Sequence, residues 1–304
     1  MIRTMPVIGH VWEVVIIFIR QDTIFSGRAA MKRYVVTALL MLGVILADLY
    51  LFSYVETQTQ ELIRFDDTLV FESIRNQQIQ PAIVQKLKQS DADASFSELL
   101  FAYFYSGKED PAELARIYDK LCRRCPEETE QYVSELSAVW SDLKYFPIPL
   151  SGADTPDVAY EDSWMQSRTY GGARVHEGCD IMAGINQRGL YPVVSVCDGE
   201  IEKMGWLPLG GYRIGVRSKH GAYFYYAHLA DYAEGLSVGD SVKAGTLLGF
   251  MGDTGYSDIE GTTGNFDVHL HFGIYLDDTN GNEFAVNSYA VLQALMEHRL
   301  QYKY

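Results

Sequence analysis

Residues 34–54 read YVVTALLMLGVILADLYLFSY, a run of about 20 residues that at about 1.5 Å rise each covers the roughly 30 Å hydrocarbon layer of a bilayer. Its single charge, Asp48, lies near the C-terminal end, at headgroup level, where an acid costs far less than at the midplane. Arg28, Lys32 and Arg33 precede the run and nothing comparable follows, so the positive-inside rule predicts a cytoplasmic N-terminus and an extracytoplasmic remainder. The alternative is a cleaved signal peptide, with Lys32 and Arg33 as its basic region. Its small-x-small pattern at Ile45 and Ala47 is poor, and the apolar stretch runs past it. Met31 is an alternative start of translation, and residues 6–19, short and carrying His10 and Glu13, make a poor second span.

The 304 residues exceed one small domain, and 48% apolar with 21% charged residues suffices to bury a core. Charge is unevenly placed. Residues 1–54 carry five basic and three acidic groups, leaving 20 against 37, or −17, for residues 55–304. Polyphosphate affinity needs clustered cations, so general nucleic-acid binding is excluded. Of four cysteines, Cys122 and Cys125 form one C-x-x-C without the second pair a zinc ribbon requires. Disulfides Cys122–Cys125 and Cys179–Cys197, or buried free thiols, both remain open.

From 55 to 148 glycines are few and helix starts are frequent. Ser95-Phe96-Ser97-Glu98 is a capping box that opens an apolar stretch ending at Gly107. Pro111 stands at a first helical position, and from Pro126 on, Tyr132, Val133, Leu136, Val139, Trp140 and Leu143 recur at helical spacing. That stripe reads as helix–helix core. After YFPIP (145–149) the pattern changes to β-branched and aromatic runs punctuated by Gly, Asp and Asn, the pattern of an all-β sandwich or barrel. The expected organisation is multidomain: a cytoplasmic segment 1–33, a transmembrane helix 34–54, an all-α helical spacer 55–148, an all-β domain 149–288, and a helical tail 289–304.

Four of seven histidines fall in the β-rich part with metal-like spacing. His269 and His271 sit two apart on a predicted strand, on one face, while Val268, Leu270 and Phe272 face the other way. His176 and Asp180 are four apart, an even strand interval; Gly178 and the glycine-rich surroundings argue against a helical H-E-x-x-H site. Two imidazoles and a carboxylate are a usual catalytic zinc set, with the fourth position left for water. His176, Asp180 and one histidine of the pair supply it. The other histidine and His228 are then free for proton transfer or charge stabilisation, and zinc lowers the pKa of its water to about 7. His220 reads as a turn residue.

The order H-x-x-x-D, A-H-L, H-L-H-F-G over about 100 residues, with SRTYGGARVHEGCDIMA around the first motif and LSVGDSVKAGTLLGFMGDTG ahead of the last, resembles the lysostaphin-type zinc metallopeptidases of the M23 family, the LytM-domain proteins. The similarity covers roughly residues 163–288. It implies one zinc held by His176, Asp180 and His271, with His228 and His269 catalytic, and a compact antiparallel β fold with a groove over the metal. It implies an endopeptidase acting on peptidoglycan stem peptides or cross-bridges, His269 assisting the attacking water and His228 donating to the developing oxyanion. Residues 204–212 and 253–267 are expected to be loops walling the groove, with Tyr256 and Asn265 as candidate substrate contacts. The family also contains members without activity, so a non-catalytic module that recruits or activates another wall enzyme is the alternative. A regulatory protein docking on the helical region, or that region covering the groove, is a further expectation. The acidic body implies that groove and tether, rather than charge, hold the protein at the wall.

Overall fold

The computed structural model describes residues 27–63, 67–278 and 280–304. Most of the expected cytoplasmic segment, including residues 6–19, therefore lies outside the described residues. The described residues fall into two units, one before Asp67 and one from Asp67 to Tyr304. In the first, α1 (Gly27–Ile63) contains an apolar stretch, Met31–Val55, long enough to cross a bilayer.

The second unit opens with α2 (Asp67–Asn76), α3 (Pro81–Lys88), α4 (Phe96–Ser106), α5 (Pro111–Arg124) and α6 (Pro126–Trp140). Their boundaries follow from local chemistry. Ser95 Oγ accepts from the Glu98 amide while Glu98 accepts from the Ser95 amide, and α4 ends on Gly107 in the left-handed conformation, φ +67°. Proline begins α3, α5 and α6, where a missing N–H has no partner to lose. Leu99, Leu100, Phe101 and Ala102 are fully or almost fully buried, so α4 is the central helix around which the others pack.

The β part comprises β1 (Leu150–Ser151), β2 (Ala159–Tyr160), β3 (Ser167–Arg168), β4 (Arg174–Val175), β5 (Cys179–Met182), β6 (Pro192–Val194), β7 (Gly199–Leu207), β8 (Gly211–Ser218), β9 (Tyr223–Tyr232), β10 (Ser241–Val242), β11 (Leu247–Met251), β12 (His269–Asp277) and β13 (Glu283–Val286). The chain ends with α7 (Tyr289–Leu295) and β14 (Gln301–Tyr302). Ten strands form one antiparallel sheet in the order β10-β7-β8-β9-β12-β5-β2, with β13 beside β12 and β11 bridging β9 and β6. The strands are thus joined through one branched hydrogen-bonded sheet. The branch arises because β9 changes neighbour: Tyr223–Ala227 pair with β12, and Leu229–Tyr232 with β11. Ile214, Val216, Phe224, Tyr226, Leu270, Phe272 and Ile274 alternate into the buried face.

Helices and sheet share this one compact unit, in contrast to a spacer followed by a separate domain. The Pro-rich stretch expected as a boundary is buried: Phe146 and Ile148 are fully covered, and their backbone bonds to the C-terminal segment. Arg299 lies over Phe146, donates to the Ile148 and Pro149 carbonyls, and pairs with Asp157 at 2.7 Å. The tail is helical only to Leu295, because β14 then pairs with β1 in parallel. All four cysteines are free thiols. Cys179 lies on β5 and Cys197 follows β6, two strands that are not neighbours, so the Cys179–Cys197 pairing is corrected; Cys179 instead donates to the Glu161 carbonyl.

Candidate metal centre

On β12 the strand period sends Leu270 and Phe272 into the core and leaves the His271 ring on the opposite face. β5 pairs alongside with His271 opposite Asp180, so two of the expected ligands are cross-strand neighbours. His176 arrives from the segment between β4 and β5. Gly178 lets that segment approach, since a Cβ there would stand 2.6 Å from His271 Cε1 and 2.8 Å from the Phe272 carbonyl.

His176 Nε2, His271 Nδ1 and Asp180 Oδ1 form a triangle with edges of 2.9, 3.0 and 3.0 Å. His176 Nδ1–H donates to the Ser163 carbonyl at 3.0 Å, so in the neutral ring Nε2 is an unprotonated lone pair aimed at a carboxylate oxygen. Acceptors facing one another at this distance need a cation or a proton between them. Ligand atoms on a tetrahedral zinc with bonds of about 2.0–2.1 Å stand about 3.3 Å apart, so this triangle accommodates zinc with a few tenths of an ångström of opening. The outer partners are those of a metal site: Ser163 orients one imidazole, and Arg168 Nη2 donates to Asp180 Oδ2 at 3.1 Å. Burial alone would raise the Asp180 carboxyl, but the close approach of His176 and His271 holds it well below the usual carboxylate range. Burial, opposed by the Asp180 hydrogen bond, keeps His271 below its ordinary value and hence neutral.

Beside the triangle stand the other two histidines. His269 Nδ1–H donates to the Asp267 carbonyl at 2.7 Å, leaving Nε2 3.8 Å from Asp180 Oδ1. His228 occupies the point where β9 switches neighbours, with φ +62°, a conformation a non-glycine residue keeps only when its surroundings fix it. Its Nδ1–H donates to the Thr254 carbonyl at 2.8 Å, and its ring centre lies 4.7 Å from those of His269 and Phe266. Burial, then the neighbouring His269 and His271, push His228 well below its ordinary value. With Nδ1–H committed to the Thr254 carbonyl, Nε2 of the neutral ring is an acceptor.

The 253–267 segment is an irregular loop pinned by Asp253, which accepts from Arg188 and from the Gly264 amide. The 204–212 segment is instead the tip of the β7–β8 hairpin; Tyr212 N donates to Thr254 Oγ1, so tip and loop brace each other. Tyr256 stacks on Tyr170 at 4.4 Å and accepts from Arg174 Nη2, while Asn265 Nδ2 donates to the Gly255 and Tyr256 carbonyls and so holds the turn. His220 is indeed a turn residue, bonded to Asp142. Ser163, Arg168, Thr254 and Phe266 escaped the sequence reading. Each acts through a fold-dependent approach, and no spacing signals it.

A family model described as Peptidase family M23 matches residues 174–285, the stretch holding all five side chains. A crystallised lytM from Ruminococcus gnavus, a candidate glycyl-glycine endopeptidase, is 45% identical, with a TM-score of 0.67 over 76% of this chain and 93% of that one. The chain belongs to peptidase family M23. The extent of that structural match carries the M23 likeness well beyond residues 174–285. The M23 chain is also 40% identical over 159 residues to the L-Ala–D-Glu endopeptidase of Bacillus subtilis, and 36% identical over 100 residues to lysostaphin of Staphylococcus simulans. These matches span 52% and 32% of this chain and only 45% and 17% of those relatives, less than half of either.

Proposed function

We propose that the protein is a membrane-anchored zinc endopeptidase that hydrolyses peptide bonds of peptidoglycan stem peptides or cross-bridges. The observation that carries this reading is the closed triangle of His176, Asp180 and His271 with two further imidazoles beside it. When bound there, zinc supplies Lewis acidity at the scissile carbonyl and lowers the pKa of water from 15.7 to about 7. Asp180, His176 and His271 would hold the metal, with Ser163 and Arg168 fixing their aim. His269 accepts the proton of the attacking water at Nε2, because its Nδ1 proton is committed to Asp267, and returns it to the leaving amine. His228 accepts at Nε2 and orients the same water. The names of the relatives specify L-Ala–D-Glu and glycyl-glycine bonds, so a short wall peptide is the substrate class. The complete set of five side chains argues against a non-catalytic module.

The apolar Met31–Val55 stretch, with Lys32 and Arg33 at its start, supports anchoring with the peptidase unit outside the membrane. Mass spectrometry of muropeptides released from defined peptidoglycan tests the activity. Release that stops with a chelator and returns with zinc is expected; release unaffected by the chelator would rule the proposal out.

A further inference from the structure

Helix α2, the first element of the peptidase unit, ends on two consecutive amides that each receive an indole N–H from a different part of the fold. Gln77 Oε1 accepts from Trp140 Nε1, at the end of α6, and Asn76 Oδ1 accepts from Trp164 Nε1, both at 2.8 Å. Arg75 adds to the second link. Its guanidinium lies 5.5 Å over the Trp164 ring, its Nε donates to the Ala285 carbonyl, and it pairs with Glu177 at 3.5 Å. The Arg75 carbonyl in turn accepts from the Asn287 amide, which ties α2 to the end of β13.

Trp164 belongs to the segment that grips the first residue of the metal triangle. Ser163 receives the His176 ring proton, the Met165 amide donates to the His176 carbonyl at 2.9 Å, and the His176 amide donates to Gln166 at 2.9 Å. Within this grip Met165 has φ +59°, a backbone state of higher energy that neighbouring contacts must hold in place. The Trp164 indole is the side chain through which α2 reaches this segment, and Asn76 is its hydrogen-bond acceptor.

We infer that Asn76, acting through Trp164, is a positioning residue for His176: the Asn76–Trp164 bond fixes residues 163–166 and thereby the tautomer and aim of the imidazole. The inference rests on His176 being a metal ligand. It gives the helical region a task in the peptidase site, as a brace behind the ligand. Outer partners of metal-bound histidines raise affinity by restricting the ring to its binding orientation, and Asn76 extends that restraint by one more link.

The test is zinc affinity of the full chain in detergent, measured by competition with a chromophoric chelator. Asn76→Leu and Trp164→Phe remove the same bond from opposite ends. Each is expected to weaken zinc binding about tenfold, the low end of effects seen for partners of metal ligands, with no further loss in the double variant. Asn76→Asp keeps an acceptor and is expected to stay within about twofold of the parent. Lowered unfolding temperatures with unchanged zinc affinity would mean that the bond only stabilises the fold, and would overturn the inference. If Asn76→Leu fails to fold, Trp164→Phe decides alone. An unmodified protein that takes up no zinc would overturn the metal reading itself, whereas normal uptake with unaffected variants overturns only the role of Asn76.

Discussion

His176 and His271 are 95 residues apart in the chain, yet their ring nitrogens meet at 2.9 Å because β5 and β12 are cross-strand neighbours and Gly178 removes the side chain that would part them. Gly178→Ala should therefore weaken zinc binding about tenfold in a chelator competition, since the methyl group meets the His271 ring and the Phe272 backbone at once. The two flanking imidazoles predict a different pattern. His228→Ala and His269→Ala should each lower kcat by about a hundredfold or more with zinc content preserved, measured by metal analysis beside peptide hydrolysis. Loss of zinc in either would make that histidine a ligand. His269 and His271 were legible as a pair because H-x-H on a strand leaves a period that sequence displays, whereas the choice of His271 as ligand and the role of His228 came from the family resemblance. Arg168, Thr254 and Phe266 were not legible, since they meet the site through a hairpin and a loop whose approach depends on the finished sheet. The contact of His228 Nδ1 with the Thr254 carbonyl, 26 residues away, is likewise invisible to spacing.

At the level of elements, the capping box at Ser95, the proline-led helices and the alternation along β12 were all readable, because each is encoded within a few residues. Glycine and proline misled where they mark hairpins rather than loops. Pro208, Gly210 and Gly211 turn β7 into β8, and the expected irregular wall is a braced hairpin tip. Pro147 and Pro149 suggested a boundary between regions, where the chain instead bonds to the Arg299 side chain on one side and to β6 on the other. This lock has a pH signature. The Arg299 hydrogen bonds, opposed by burial, hold the Asp157 carboxyl below its usual range. A carboxyl lowered on folding adds stability above its unfolded value of about 3.9 and loses it as pH falls through the folded value. The difference in melting temperature between the parent and Asp157→Asn should be steady from pH 7 to about 5 and close at lower pH. A difference that persists unchanged in acid would show that the ion pair contributes nothing.

For the molecule as a whole, the helices and the sheet make one compact unit from Asp67 onward. Phe71 packs on Phe284 at 5.2 Å, and α3 and α7, like α6 and β12, lie against each other. Heating should accordingly unfold this unit in a single calorimetric transition, and excision of residues 67–148 should leave residues 149–304 unable to fold; two separate transitions would restore the independent spacer. The central claim is that His176, Asp180 and His271 converge on one metal ion. Zinc K-edge X-ray absorption on the full chain, purified with its metal, examines that coordination directly. One zinc per chain is expected, with two imidazole nitrogens and a carboxylate oxygen at about 2.0–2.2 Å. A sulfur neighbour at about 2.3 Å, or a shell with fewer than two imidazoles, would contradict it.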